Sequence, residues 1–116
     1  MGNVYRFTEP VVLYLLKKNG RSYGYELARE LADYALTDAE VELAALYRTL
    51  QRLEQNGYVA SEWDTSGSGP ARHLYRLTTE GEKHLEEWRQ VLERLAEAMS
   101  NLVEKIRAVE EPAPAR

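Results

Sequence analysis

The sequence contains no cysteine, which excludes disulfide bonds and thiolate metal sites and argues against a small secreted fold held together by staples. It also lacks any apolar run approaching the roughly 18 residues that a membrane helix needs, and the opening segment MGNVYRFTEP has no basic stretch leading into a long hydrophobic one. The expectation is a soluble, cytoplasmic protein with no membrane partner. Its two histidines, with no suitably spaced carboxylates beside them, make no metal site. There is no nucleophile elbow, no phosphate loop and no carboxylate pair placed for acid–base work, so neither catalysis nor a cofactor is expected. Positive charge is in deficit too, with 15 Lys and Arg against 19 Asp and Glu and a net charge of -4. Taken as a sum, that disfavours binding to phosphates, but distribution matters more than the sum. Residues 46–76 hold Arg48, Arg52, Arg72 and Arg76 against Glu54, Glu62 and Asp64, whereas residues 77–111 hold nine carboxylates against five basic side chains.

What is present fits one modest domain: 116 residues, 44% of them hydrophobic. TEPVVLYLLKKNG reads as a first helix, with Thr8 as its N-cap, Pro10 in the first turn, Val12, Leu15 and Leu16 at helical spacing, and Asn19-Gly20 as its end. YGYELARELADYA places Tyr25, Leu27, Ala28 and Leu31 on one stripe and predicts a second helix over 23–34. ALTDAEVE is polar and irregular and reads as a connection. Leu43, Leu46, Leu50 and Leu53 then define a third helix over 43–56, stopped by Asn56-Gly57, with Arg48, Thr49, Gln51 and Arg52 directed away from the core.

YVASEWD and ARHLYRLT alternate as strands around the loop TSGSGP. They form a two-stranded hairpin with Val59, Ser61 and Trp63 on one face, and Trp63 is read as the anchor between hairpin and body. Thr79 to Glu82 has capping-box spacing and opens a long helix. Along it Leu85, Trp88, Leu92, Leu95, Met99, Leu102, Ile106 and Val109 recur at alternating steps of three and four, a heptad seam. Pro112 and Pro114 close it and leave a short disordered tail. The domain expectation is therefore a body over 1–78, a C-terminal helix over 79–110 and a tail over 111–116. The fold class is α+β, mostly α: three helices, a two-stranded wing and a long C-terminal helix.

An exposed basic third helix beside a hairpin carrying arginine and histidine suits the roughly 12 Å major groove of duplex DNA, with the hairpin gripping phosphate or minor groove alongside. Three segments, YGYELARELADY, ALYRTLQRLEQNGYVASEW and GPARHLYRLTTEGEKHL, together resemble the PadR family of bacterial transcriptional regulators over residues 10–85, in its short class with one C-terminal helix. The resemblance implies a winged helix-turn-helix, a homodimer joined by its C-terminal helices, and action as a repressor. It carries a DNA-facing role onto Tyr47, Arg48 and Arg52 of the third helix, with Thr49 beside them, and onto Arg72 and His73 of the wing. The chain departs from the family pattern at Ala44-Ala45, at Arg48, which stands where the family has proline, and at Glu42, where a capping hydroxyl is usual.

The dimer seam would be Leu85, Trp88, Leu92, Leu95, Met99, Leu102 and Ile106. Trp88 is also a candidate contact for a flat small-molecule inducer, although it stands one turn before the family's tryptophan position, which Leu92 occupies. The expected partners are a second copy of the chain and double-stranded DNA in a pseudo-palindromic operator, as two-fold symmetry requires. Net negative charge motivates an alternative, an interaction adaptor on the same fold that has lost DNA binding.

Overall fold

The computed structural model describes residues 7–34 and 43–110. The connection at 35–42, including Glu42, the opening segment 1–6, the tail at 111–116 and the side chain of Leu43 lie outside the described residues. Helix α1, Thr8–Asn19, buries Val12, Leu13, Leu15 and Leu16 completely. Thr8 is the first helical residue and not the cap, a position Phe7 takes without any side-chain capping bond. Thr8 and Pro10 are both buried in the first turn, where a proline removes no intrahelical hydrogen bond.

Strand β1, Arg21–Tyr23, follows at once and leads into helix α2, Gly24–Leu31, which a 3-10 turn extends over Ala32–Tyr34. The Glu26 carboxylate accepts the Tyr23 backbone N–H at 2.9 Å, one half of a capping box. Leu27 and Leu31 face the core, but Tyr25 does not: it is half exposed and stacks on Tyr23 with ring centroids 5.6 Å apart. Helix α3, Leu43–Gln55, adds Leu46, Leu50 and Leu53 to the core. Each such buried leucine contributes about 1.5–3 kcal/mol of transfer free energy. Its C-terminus is a Schellman motif, with Tyr58 N–H donating to Leu53 O at 2.9 Å and Gly57 N–H to Glu54 O at 3.0 Å. Gly57 sits at φ 82°, a left-handed conformation that glycine adopts without strain and L side chains rarely take.

Strands β2, Val59–Asp64, and β3, Arg72–Leu77, form the expected wing hairpin, and β1 joins it as a third strand in the order β1-β3-β2. All pairs are antiparallel, with Ser22 and Ser61 both opposite Tyr75 and Tyr23 and Glu62 both opposite Leu74. Alternation therefore gives one face Ser22, Ser61, Trp63, His73, Tyr75 and Val59, and the other Arg21, Tyr23, Glu62, Asp64, Arg72, Leu74 and Arg76. The first face holds the buried Val59, Ser22 and Tyr75 and closes the core.

Helix α4 spans Thr79–Glu110. Its cap is Thr78, one residue earlier than the spacing suggested: the Thr78 Oγ1 accepts the Gly81 N–H at 3.0 Å and donates to Gly57 O at 2.6 Å. The chain falls into two compact units, the first ending at Leu85 and the second beginning at Glu86. The opening turns of α4 thus belong with the winged body, for reasons visible in their contacts. Gly81 lies so close to Tyr58 that an added Cβ would stand 2.0 Å from its carbonyl oxygen, Lys17 pairs with Glu82, and His84 bonds Glu9 at 2.7 Å while stacking on Tyr58 at 3.9 Å. In the second unit, Glu86 and Glu93 flank Arg89, and Arg107 pairs with Glu104 at 3.0 Å. The Arg89 bonds hold the Glu86 carboxyl below its ordinary range. No helix among the described residues is long and apolar enough to cross a membrane.

Candidate nucleic-acid interface

The side of α3 that the leucines leave open carries Tyr47, Arg48, Gln51 and Arg52, all exposed. Thr49 is not among them. It is 6% exposed, because it stands three residues after Leu46 and four before Leu53 and so falls inside the arc that packs on the core. The expectation that Thr49 points outward is corrected accordingly.

The other residues of this surface differ in how firmly they are held. Arg48 makes no ion pair among the described residues. Arg52 reaches Glu9 of α1 at 3.3 Å, with its own side chain 55% exposed, so this pair is screened and weak, about 0–1 kcal/mol. Tyr47 is 39% exposed and packs its other side on Gly24 at the start of α2, where a Cβ would lie 2.9 Å from the Tyr47 hydroxyl. The absence of a side chain at Gly24 is what lets α2 and α3 approach here. Tyr47 therefore combines a packing role with an exposed edge.

On the wing, Arg72 and His73 lie on opposite faces and do not act together. Arg72 belongs to a polar cluster on the outer face: it approaches Asp64 at 3.6 Å and lies over the Tyr23 ring at 4.4 Å. Asp64 also accepts from Ser66, at 2.6 Å from Oγ and 2.9 Å from the backbone N–H, and from the Tyr23 hydroxyl. These donors, Ser66 foremost, hold the Asp64 carboxyl far below its ordinary range, and the same bond to Asp64 pushes the Tyr23 phenol up. The cluster fastens the start of the wing loop to β1. Arg21 and Glu62 add a 3.8 Å pair on this face, while Arg76 makes no ion pair among the described residues.

His73 lies on the other face in a fixed setting. The Ser61 hydroxyl donates to Glu54 of α3 at 2.7 Å, so Ser61 Oγ accepts the His73 Nε2–H at 2.9 Å, and Nδ1 in turn accepts the Tyr75 hydroxyl at 2.9 Å. Both ring nitrogens are thus used in the neutral form. Burial pushes the Tyr75 phenol up to about 12, with Tyr47 and Glu54 adding to the effect. Trp63 stacks on His73 at 4.2 Å and 15° and remains 63% exposed. It is a wing-surface residue and not the wedge against the body that its size suggested.

Among the described residues no group of three or more histidine, aspartate or glutamate side chains is gathered to hold a metal ion. Residues 12–87 match the profile described as the Transcriptional regulator PadR-like family. The chain belongs to that family. Its members are transcriptional regulators rather than enzymes. The chain is similar to a solved protein of unknown function described as a potential transcriptional factor, at 33% identity over 96% of this chain and 97% of that one, with a TM-score of 0.78. It is also similar to a PadR family transcriptional regulator from Eggerthella lenta DSM 2243, at 32% identity over 85% of this chain and 80% of that one, with a TM-score of 0.69. An uncharacterized protein of Lysinibacillus sphaericus is 29% identical over 89 residues, 73% of this chain and 81% of that protein.

For a PadR-like regulator, sequence reasoning missed two groups. One is the Glu9–His84 pair with its Tyr58 stack, since His84 reads as an ordinary surface residue of a charged helix. The other is the Tyr75–His73–Trp63 row, which only strand register brings together. The seam positions of α4 are, in the single chain, half-buried at Leu85, Trp88 and Leu92 and exposed at Leu95, Met99, Leu102, Ile106 and Val109, with Val91 and Val103 exposed as well.

Proposed function

We propose that this PadR-like regulator binds operator DNA as a homodimer and represses transcription by occupying that operator. The observation that carries the reading is the open side of α3, where Tyr47, Arg48, Gln51 and Arg52 stand together beside the wing with the leucines on the opposite arc. A helix so presented matches major-groove readout, in which arginine reads guanine edges or phosphates. Arg48 is the principal donor in this reading. Arg52 exchanges Glu9 for phosphate, and Arg72 reaches the flanking backbone. Support for the dimer comes from the second unit, where five apolar seam side chains from Leu95 to Val109 are exposed in the single chain, an arrangement that a second copy would cover. Trp88 is the residue closest in kind to an inducer contact. The protein works in the cytoplasm in this reading, and the operator is a pseudo-palindrome whose half-sites lie about one helical turn apart.

The test is fluorescence-anisotropy titration of the purified protein against duplex from its own promoter region, with scrambled duplex as control, across a salt series. Tight, selective binding that weakens steeply with salt is the expected result. Equal and weak binding to both duplexes would overturn it and favour the adaptor.

A further inference from the structure

The tip of the wing carries a tryptophan that the packing of the chain does not use. Trp63 is 63% exposed, although a side chain of this size normally buries most of its area. It is nevertheless supported on one side. One ring face lies on His73 at 4.2 Å and 15°, and His73 is fixed at both nitrogens by Ser61 and Tyr75. Ser61 is in turn bonded to Glu54 of α3, so the orientation of the Trp63 ring is referenced to the helix that carries Arg48. The row continues inward from the wing: His73 and Tyr75 have centroids 4.4 Å apart, and Tyr75 is buried in the core. A row of rings thus runs from the buried Tyr75 through His73 to Trp63, whose outer face is open.

The loop that follows, TSGSGPA at 65–71, has no side chain larger than threonine or proline, which permits close approach to a large partner. Arg72 must first release Asp64 and Tyr23 to reach phosphate. The open ring of Trp63 requires no such exchange and adds contact on the other face of the hairpin.

We propose that Trp63 is a further DNA-contacting residue of the wing, packing its open ring face on the sugar edge of the minor groove that flanks the α3 half-site. The inference rests on the DNA-binding reading above. Duplex DNA is the occupant because the Ser61–Glu54 bond ties this face of the hairpin to α3, whose exposed side carries Arg48, and because minor-groove binders commonly add apolar side chains to their polar contacts. His73 acts as a positioning residue that keeps the indole flat.

The experiment uses the full chain labelled with 5-fluorotryptophan, whose two fluorine resonances are assigned by the spectrum of Trp63→Phe. Promoter duplex that binds by anisotropy should shift the Trp63 resonance and protect it from a soluble paramagnetic quencher. Trp63→Ala should weaken binding about tenfold, within the range seen for loss of an aromatic contact to nucleic acid, and Trp63→Phe should restore most of it. Because the residue is exposed, neither variant threatens folding. If the duplex binds selectively while the Trp63 resonance stays put and Trp63→Ala binds within about twofold of the parent, the wing proposal is overturned and the DNA-binding reading stands. If no duplex binds selectively, both fall.

Discussion

Gly81 allows a sharp test of how the long helix is rooted in the body. An alanine Cβ at this position would lie 2.0 Å from the Tyr58 carbonyl oxygen and 2.8 Å from Leu77 Cδ1. Real Cβ atoms essentially never come within 3.0 Å of such neighbours, so about 1 Å of movement is required, which lies on the steep repulsive side of the contact potential. The obstacle is backbone and cannot rotate away. Tyr58 O also accepts the Thr78 N–H at 3.1 Å, and Thr78 caps α4 through Gly81 N–H. Moving either partner disturbs these bonds, each worth about 1 kcal/mol, in addition to about 1–3 kcal/mol of overpacking. Against this, alanine gains about 1 kcal/mol over glycine in a helix. Gly81→Ala should therefore destabilise the protein by a net 2–4 kcal/mol or so, lowering Tm by roughly 10 °C or more for a chain of this size. The assay is thermal and urea denaturation at one fixed protein concentration, since the proposed dimerisation would make Tm depend on it. Gly57→Ala serves as control: nothing lies within 4 Å of its Cβ, and only the positive φ opposes it, at about 1–2 kcal/mol. A Gly81→Ala protein as stable as the parent, or more stable, would refute the close approach of α4 to Tyr58.

Three further outcomes follow from the same geometry. Gly24→Ala would press on the side chain of Tyr47 at 2.9–3.3 Å, an atom group able to swing; stability should change by under about 1.5 kcal/mol while operator affinity falls severalfold in the anisotropy titration, and unchanged affinity would remove Tyr47 from the interface. Asp64 has its folded pKa depressed by Ser66 and Tyr23, so its contribution is complete above about pH 4, the ordinary carboxylate value, and fades as pH falls toward the lower folded value. The stability gap between the parent and Asp64→Asn should accordingly close between pH 7 and pH 2, and a gap that widened on acidification would contradict the assignment. Leu95→Asp would place a charge in the proposed seam and should shift sedimentation toward monomer at a penalty of several kcal/mol; an undisturbed dimer would locate the interface elsewhere.

The elements that were legible in the sequence are those determined locally. Asn56-Gly57 announces a helix end because positive φ at a glycine is a property of one residue, and the leucine spacing of α3 reflects burial along a single helix. Strand β1 was not legible: Arg-Ser-Tyr shows no alternation, and it is a strand only because Ser22 and Tyr23 pair with Tyr75 and Leu74 of β3, more than fifty residues on. The shift of the α4 cap from Thr79 to Thr78 has a similar cause. Two adjacent threonines offer equivalent hydroxyls, and Gly81, which must pass Tyr58 at close range, decides between them. Thr49 was misplaced because polarity was read as exposure, although its helical phase puts it among leucines. His84 looked like a surface residue because Glu9, its partner, is 75 positions away.

The charge deficit that argued against DNA also looks different once partners are known. Three of the basic side chains near α3 and the wing already hold an acid: Arg52 with Glu9, Arg72 with Asp64 and Arg21 with Glu62. On the DNA-binding reading, phosphate must replace these carboxylates, so binding at those positions is an exchange of partners and gains less than the neutralisation of a bare cation. Arg48 and Arg76, without ion pairs among the described residues, gain the full amount. Exchange of this kind lowers the sequence-independent part of the affinity more than the part read from base edges. On the same reading, an acidic chain with pre-paired arginines gives up general attraction to duplex, and its discrimination rests on the few side chains, Arg48 first among them, whose geometry has to match a particular base sequence.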